Sequence, residues 1–194
     1  MKNHLLTRIH GYEYDGDERC FDDDEHNKLL IENLNKVATP KRLRVAYTSY
    51  DIRCDKDSLS TMGSCNVMTL SHDGEHPFWY ARVLCAFQIP TCYLGRRSKN
   101  LSFHKMDVLW VRWLGVEPNY SWSFKHARLP KVGFIPDTDE DLAFGFLDPS
   151  SVIRACHLIP AFAGGHTAAL MKPGPSLGRL PGETDDWGSS YVNM

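Results

Sequence analysis

The chain has 194 residues, of which 42% are hydrophobic and 24% charged, a composition typical of one globular domain with a sizeable core. The formal net charge of -2 argues against a general nucleic-acid-binding surface, because such surfaces are normally basic. The sequence contains no apolar run of about 18 residues that could span a membrane. Its first residues lack the long apolar core of a signal peptide. We therefore expect a cytosolic or nuclear protein.

The first forty residues are predicted to form an N-terminal extension with one helix. Residues 1–21 show no sustained hydrophobic period, which predicts loose attachment. Three aspartates at positions 22–24 favour a helix N-terminus, because acidic groups interact well with the positive end of the helix dipole. Apolar residues then recur at helical spacing, and Pro40 ends the pattern: Leu30, Leu34 and Val37.

Two apolar segments, 76–87 and 106–115, are predicted to be the core strands. In HPFWYARVLCAF, alternate residues from Trp79 to Phe87 are apolar, whereas Tyr80 and Arg82 face the other way, the pattern of a half-buried strand. In MDVLWVRWLG both faces are apolar apart from Asp107 and Arg112, which predicts a strand covered on both sides.

Shorter strands are predicted around these two. Residues 41–53 and 65–70 show strand-like alternation, and the polar segment 55–64 between them predicts a turn. Residues 129–135 predict another short strand, and 148–162 a short helical or extended element that closes the core. The last segment, 163–194, is rich in Gly and Pro and is predicted to be largely extended or disordered, with only DDW and YVN able to pack. This organisation divides the chain into an extension (1–40), a β domain (41–162) and a tail (163–194).

Candidate metal and nucleophile patterns are incomplete. His72 and His76 have a His-x3-His spacing, but no Cys-x2-4-Cys pair accompanies them, so we expect no zinc and no cofactor. Residues 137–148 place acids as a calcium loop does, but Leu142 stands where that loop requires glycine. The six cysteines are interpreted as reduced thiols. Cys156 and His157 point opposite ways on a strand, which favours packing for Cys156.

An ordered series of segments resembles the C-terminal region of fungal Plavaka-type transposon proteins. The segments, in order, are AYTSYDIRCDKDSL, HPFWYARVLCAF, MDVLWVRWLG, LPKVGFI, AFGFLDPSSVIRACHLIPAF and GETDDWGSSYVN. The resemblance covers roughly residues 44–194. It implies a nuclear, non-catalytic accessory domain of a transposon-derived protein, outside the region in which the transposase nuclease would lie.

The succession of strands also resembles, more loosely, the bromo-adjacent homology domain, a β-rich chromatin-interaction module. The strand near Tyr47, the strand HPFWYARV, the strand LWVRW and the closing segment IRACHLIP carry this resemblance. It implies a mainly β fold, a small distorted antiparallel β-barrel with long loops, that binds protein or chromatin peptides.

The candidate binding residues are aromatic and basic. Tyr80, Tyr120 and Trp122 are predicted to form an aromatic surface outside the core, where π-faces attract cations and serve as interface anchors. For Trp122 the alternative is that it covers the barrel end. The loop containing Arg96, Arg97 and Lys99 offers candidate phosphate contacts.

Four other functions remain open from the sequence: a local DNA-binding domain, a transposase nuclease, a Cys/His-dependent enzyme and a non-functional transposon relic. The nuclease is disfavoured because it needs carboxylates converging on two metals from alternating β and α units, and no such alternation is present.

Overall fold

The computed structural model describes residues 1–13, 18–32, 34–48, 54–61, 63, 65–72, 76–95, 98, 101–122 and 128–193. Its helices are α1 (Lys2–Ile9), α2 (Asp23–Lys28) and α3 (Glu140–Ala143). Its strands are β1 (Leu29–Ile31), β2 (Arg42–Thr48), β3 (Cys54–Ser60), β4 (Asn66–Leu70), β5 (Phe78–Tyr93), β6 (His104–Val116), β7 (Lys131–Phe134), β8 (Phe144–Leu147), β9 (Val152–Pro160), β10 (His166–Thr167), β11 (Asp186–Trp187) and β12 (Ser190–Asn193). The predicted mainly β class is confirmed.

A large antiparallel sheet dominates the described part of the chain. Its eight strands follow the order β1-β5-β4-β9-β12-β7-β6-β8. Strand β5 pairs with β6 as well, so the pairings from β5 through β4, β9, β12, β7 and β6 lead back to β5. Two smaller antiparallel pairs, β2 with β3 and β10 with β11, lie beside this sheet. The predicted antiparallel arrangement of neighbours is therefore also confirmed.

Strand β5 is buried on both faces, not on one. Ala81 and Val83 belong to one core cluster, whereas Tyr80, which points to the opposite face, belongs to a second. The register with β6 shifts between Val83 and Cys85. A bulge inserts one residue and reverses the alternation, so Ala86 rather than Cys85 rejoins the first cluster. Simple alternation along the sequence does not anticipate this change of face.

Strand β6 is the covered central strand that its sequence predicts. Leu109, Val111 and Trp113 lie in the first cluster. On the other face, Leu114 lies in the second cluster and Val108 in a third. Strand β6 pairs with β5, β7 and β8, so it is central in the sheet, and each of its faces packs in a core cluster.

The N-terminal residues are packed, so the prediction of a loosely attached segment is wrong. Leu5 and Leu6 of α1 are fully buried in the third cluster, with Leu29 of β1. The expected helix begins as predicted, with the Asp22 carboxylate capping the Glu25 amide at 2.8 Å. The helix ends at Lys28, because residues 29–31 pair with β5 and bury Leu29. This pairing and burial stabilise an extended conformation at these residues more than a longer helix would be stabilised.

One further segment differs from its predicted conformation. Residues 55–60, expected within a turn, belong to β3, which pairs with β2 along seven residues. Most residues of β3 are exposed, so they are polar. The composition of this strand therefore resembles that of a turn. Residues 190–193, which include the YVN that was predicted to pack, form β12 between β9 and β7, and β1 comes from the predicted extension. Both flanking segments thus contribute strands to the main sheet. No helix among the described residues is long and apolar enough to cross a membrane.

Candidate functional site

Tyr80 does not belong to a surface, and the prediction that it lies outside the core is wrong. Its side chain is fully buried in the second cluster, near Met68 and Leu114. Burial raises the pKa of the Tyr80 hydroxyl above its usual range. The ring of His76 lies edge-on to the Tyr80 ring at 5.7 Å. The face of β5 that carries Tyr80 is covered by other strands, so the exposed side expected for a half-buried strand does not exist there.

Tyr120 and Trp122 are both partly exposed, and each is held by a different neighbour. The Trp122 ring lies 4.7 Å from the ring of His76, measured between centroids. The Tyr120 ring contacts Tyr191 of β12 at 6.1 Å and lies 5.9 Å from the Lys131 ammonium group of β7. We call this group, Tyr120, Trp122, Lys131 and Tyr191, the aromatic surface. Tyr120 and Trp122 are thus both partly exposed, and their role as one binding surface stays a prediction.

The predicted phosphate contacts lie outside the described residues. Arg96, Arg97 and Lys99 all fall in positions that the structure does not describe, so their assignment stays a prediction.

The sequence did not reveal one heavily charged site in the interior. Arg112 of β6, Arg179 and Asp186 of β11 are all buried, and we call them the Asp186 network. Arg112 donates two hydrogen bonds to the Asp186 carboxylate, at 2.9 and 3.0 Å. Arg179 donates a third to the same carboxylate at 3.0 Å. The network joins the central strand of the sheet to the C-terminal segment.

Backbone carbonyls and an aromatic ring complete the Asp186 network. Arg112 also donates to the Gly178 carbonyl at 3.2 Å, and its guanidinium lies 4.0 Å from the Phe134 ring centroid. Arg179 donates to three carbonyls of the same segment: Met171 at 2.9 Å, Lys172 at 2.7 Å and Gly174 at 2.8 Å. These contacts fold residues 171–186 around the Arg179 side chain.

The charge state of Asp186 follows from its two arginine partners. Burial alone would raise the pKa of the Asp186 carboxyl, but the hydrogen bonds and positive charge of Arg112 and Arg179 outweigh it and hold the pKa below its ordinary value. Asp186 is therefore ionised at neutral pH. One carboxylate between two guanidinium groups is the arrangement of a structural clamp, which positions the C-terminal segment and presents no open ligand position among the described residues.

The thiols and histidines of the interior are arranged for packing. Burial raises the pKa of both Cys65 and Cys156 to about 12, so these thiols stay protonated at neutral pH. Cys156 is buried while His157 beside it is exposed, as the strand geometry predicted. The Nδ1 atom of His76 lies 2.7 Å from the carbonyl oxygen of Phe78. Within the described residues, no group of three or more His, Cys, Asp or Glu could hold a metal ion.

Sequence signals for the missed residues were present but incomplete. Arg112 is the one basic residue in the two-sided apolar strand of residues 106–115, and a buried arginine requires a carboxylate partner. The sequence alone does not identify which of 24 acidic residues supplies it. No protein-family model matches the chain, and no curated protein or solved structure is significantly similar to it.

Proposed function

We propose that the chain is a non-catalytic interaction domain that binds a protein segment through the aromatic surface. The observation that carries this proposal is the position of Tyr120 and Trp122, which are partly exposed yet held in place by Tyr191 and His76. Rigid aromatic side chains at a surface make good interface anchors, because little conformational entropy is lost when a partner binds.

A histone-type peptide is the partner that the two resemblances suggest. The ring of pairings through β5, β4, β9, β12, β7 and β6 supports a small distorted barrel of the bromo-adjacent homology type. The ordered motifs support an accessory role in a transposon-derived, nuclear protein. The Lys131 ammonium group beside Tyr120 adds a positive charge that suits an acidic or phosphorylated position in the peptide. Trp122 supplies the ring on which a methylated ammonium group of the peptide would rest.

The experiment compares binding of the wild type and of Trp122→Ala to an array of modified and unmodified histone peptides. We expect Trp122→Ala to weaken binding about ten-fold, because truncation of a hot-spot aromatic typically costs at least about 1–2 kcal/mol of binding free energy. The melting temperature is measured in parallel, and we expect it to be almost unchanged.

Phe162→Ala is the matched control. Phe162 is also an exposed aromatic residue, 71% accessible, and its ring contacts Trp187 rather than the aromatic surface. Its replacement should leave peptide binding unchanged. If Trp122→Ala unfolds the domain, Trp122 serves the core, and if no peptide or protein from a nuclear extract is retained by the wild type, the interaction proposal fails.

A further inference from the structure

A cavity of about 750 Å³ opens between α1 and the sheet, and none of the aromatic-surface residues lines it. Helix α1 contributes one wall, β2 and the end of β4 a second, and the segment from β8 to β9 a third. We call it the α1 cavity. Its volume lies in the range of natural small-molecule sites, about 300–1,000 Å³.

Two polar side chains of α1 line this cavity without being satisfied. His4 and Thr7 are both buried, with 6% and 7% of their surfaces accessible. Among the described residues, neither the His4 Nε2 atom nor the Thr7 hydroxyl has a hydrogen-bond partner. An unsatisfied buried polar atom destabilises a fold, so natural structures keep few of them. Two such atoms on one helix, three residues apart and on one cavity wall, indicate a site that a ligand completes.

The charges around the cavity favour an uncharged ligand. Arg8 pairs with Asp148 at 2.5 Å, so both charges are neutralised within the wall. The two tyrosines of the wall already have guanidinium groups over their rings: Arg19 lies 4.5 Å from the Tyr12 centroid and Arg154 lies 4.4 Å from that of Tyr47.

A cationic ligand would meet the guanidinium group of Arg19, whereas an anionic ligand would meet the carboxylates of Glu13 and Glu18, which line the same wall. Neither charge is accommodated without repulsion. The groups that need a partner, an imidazole and a hydroxyl, are themselves neutral, because burial, and then the nearby Arg8, lower the pKa of His4 to about 4.

An amide group matches the two unsatisfied atoms. A neutral imidazole presents Nε2 as a donor in one tautomer and as an acceptor in the other, and a threonine hydroxyl can act as both. A primary amide has a carbonyl acceptor and N–H donors, so it can satisfy the pair in either tautomer. Phe146, whose ring lies 6.1 Å from that of His4, provides an apolar wall for an adjoining ring.

We propose that the α1 cavity binds a small uncharged aromatic amide, with the amide group hydrogen-bonded to His4 and Thr7 and the aromatic ring against Phe146. This site is independent of the interaction proposed for the aromatic surface.

The test is a titration of the ¹⁵N-labelled protein at pH 7 with three probes of the same shape: benzamide, benzoate and benzamidine. We expect benzamide to cause saturable amide shifts in residues 4–8 and 146–151 with a Kd of about millimolar order, as suits a ligand of so few atoms. Benzoate and benzamidine should bind at least about five-fold more weakly, because each introduces a charge that the wall opposes.

Two variants examine the polar contacts. Thr7→Val and His4→Phe should each weaken benzamide binding about three- to ten-fold, the loss expected for one hydrogen bond. Thr167→Val on β10, outside the α1 cavity, is the matched control and should bind benzamide as the wild type does. If His4→Phe does not fold, Thr7→Val decides alone, because valine has nearly the shape of threonine.

Three outcomes would overturn the proposal: no saturable shift with benzamide, equal affinity for the three probes, or unchanged affinity in folded Thr7→Val. Shifts that map to another part of the protein would place the site elsewhere and would count against it equally.

Discussion

The Asp186 network and the α1 cavity both bury polar side chains, but they differ in what those side chains contact. In the network, each Asp186 carboxylate oxygen accepts from a guanidinium group, and four backbone carbonyls take further donors. Among the described residues, only the Nε atoms of Arg112 and Arg179 lack a partner there. In the cavity, the His4 Nε2 atom and the Thr7 hydroxyl have none.

The difference shows two uses of buried polarity. A paired network is satisfied by the chain itself and fixes one arrangement of residues 171–186, a segment whose Gly- and Pro-rich composition would otherwise allow many. Unpaired groups lower stability and fix nothing by themselves, and this is why we propose a partner from outside for His4 and Thr7. Substitutions in the two regions should therefore change stability in opposite directions.

The largest effect is expected for Asp186→Asn. This change keeps the shape of the side chain but removes its charge, leaving two buried guanidinium groups without a counter-ion. Loss of one member of a buried ion pair typically costs about 3–5 kcal/mol, a large part of the total stability of a domain, about 5–15 kcal/mol. Urea unfolding measures the free energy of unfolding directly.

Asp185→Asn is the matched control for this prediction. Asp185 is the preceding residue, and its carboxylate pairs with His166 at 2.8 Å while remaining 45% exposed. We expect a change of at most about 1 kcal/mol, as is usual for exposed pairs. Equal losses in the two variants would mean that the Asp186 network does not anchor the C-terminal segment.

The sequence predicts the parts of this fold that depend on local pattern. The strand around Trp79 follows from hydrophobic alternation and the strand around Trp110 from an apolar run on both faces. The start of α2 follows from the Asp22 cap. The bulge after Val83 could not be predicted, because it depends on how β5 pairs with β6. Tyr80 was misplaced for a related reason, since the burial of a second face depends on strands distant in sequence.

The two polar sites were harder to predict than the strands. Arg112 and Asp186 are 74 positions apart, and nothing in the intervening sequence indicates their contact. His4 and Thr7 occur in a short segment with weak periodicity, so neither appeared buried. The unsatisfied state of these atoms becomes visible only from the positions of the described residues around them.

Acidification should weaken the wild type through His4. Burial lowers the pKa of folded His4 to about 4, whereas the unfolded residue has the ordinary value of about 6.5. Between these values the unfolded state binds more protons, so stability falls as the pH falls from about 6.5 to 4, by up to about 3 kcal/mol. The nearest charges, Arg8 and Asp148, act in opposite directions on this pKa.

Urea unfolding of the wild type and of His4→Phe at several pH values isolates the contribution of His4 to stability, since the carboxylates titrate equally in both proteins. The difference in the free energy of unfolding between the two proteins should change by about 2–3 kcal/mol from pH 7 to pH 4, in favour of the variant at low pH. Parallel curves would show that His4 is not buried in its neutral form.

The smallest effect has the opposite sign and separates the two regions most clearly. Thr7→Val removes a buried hydroxyl that has no partner among the described residues, while valine keeps the volume and has a similar helix propensity. We therefore expect the variant to be more stable by about 1 kcal/mol in urea unfolding. Thr167→Val should instead lose about 0.5–1 kcal/mol, because the Thr167 hydroxyl accepts a hydrogen bond from the Ala169 amide at 3.1 Å. A stability loss in Thr7→Val as large as that in Thr167→Val would mean that the Thr7 hydroxyl already has a hydrogen-bond partner. The main argument for a ligand in the α1 cavity would then fail.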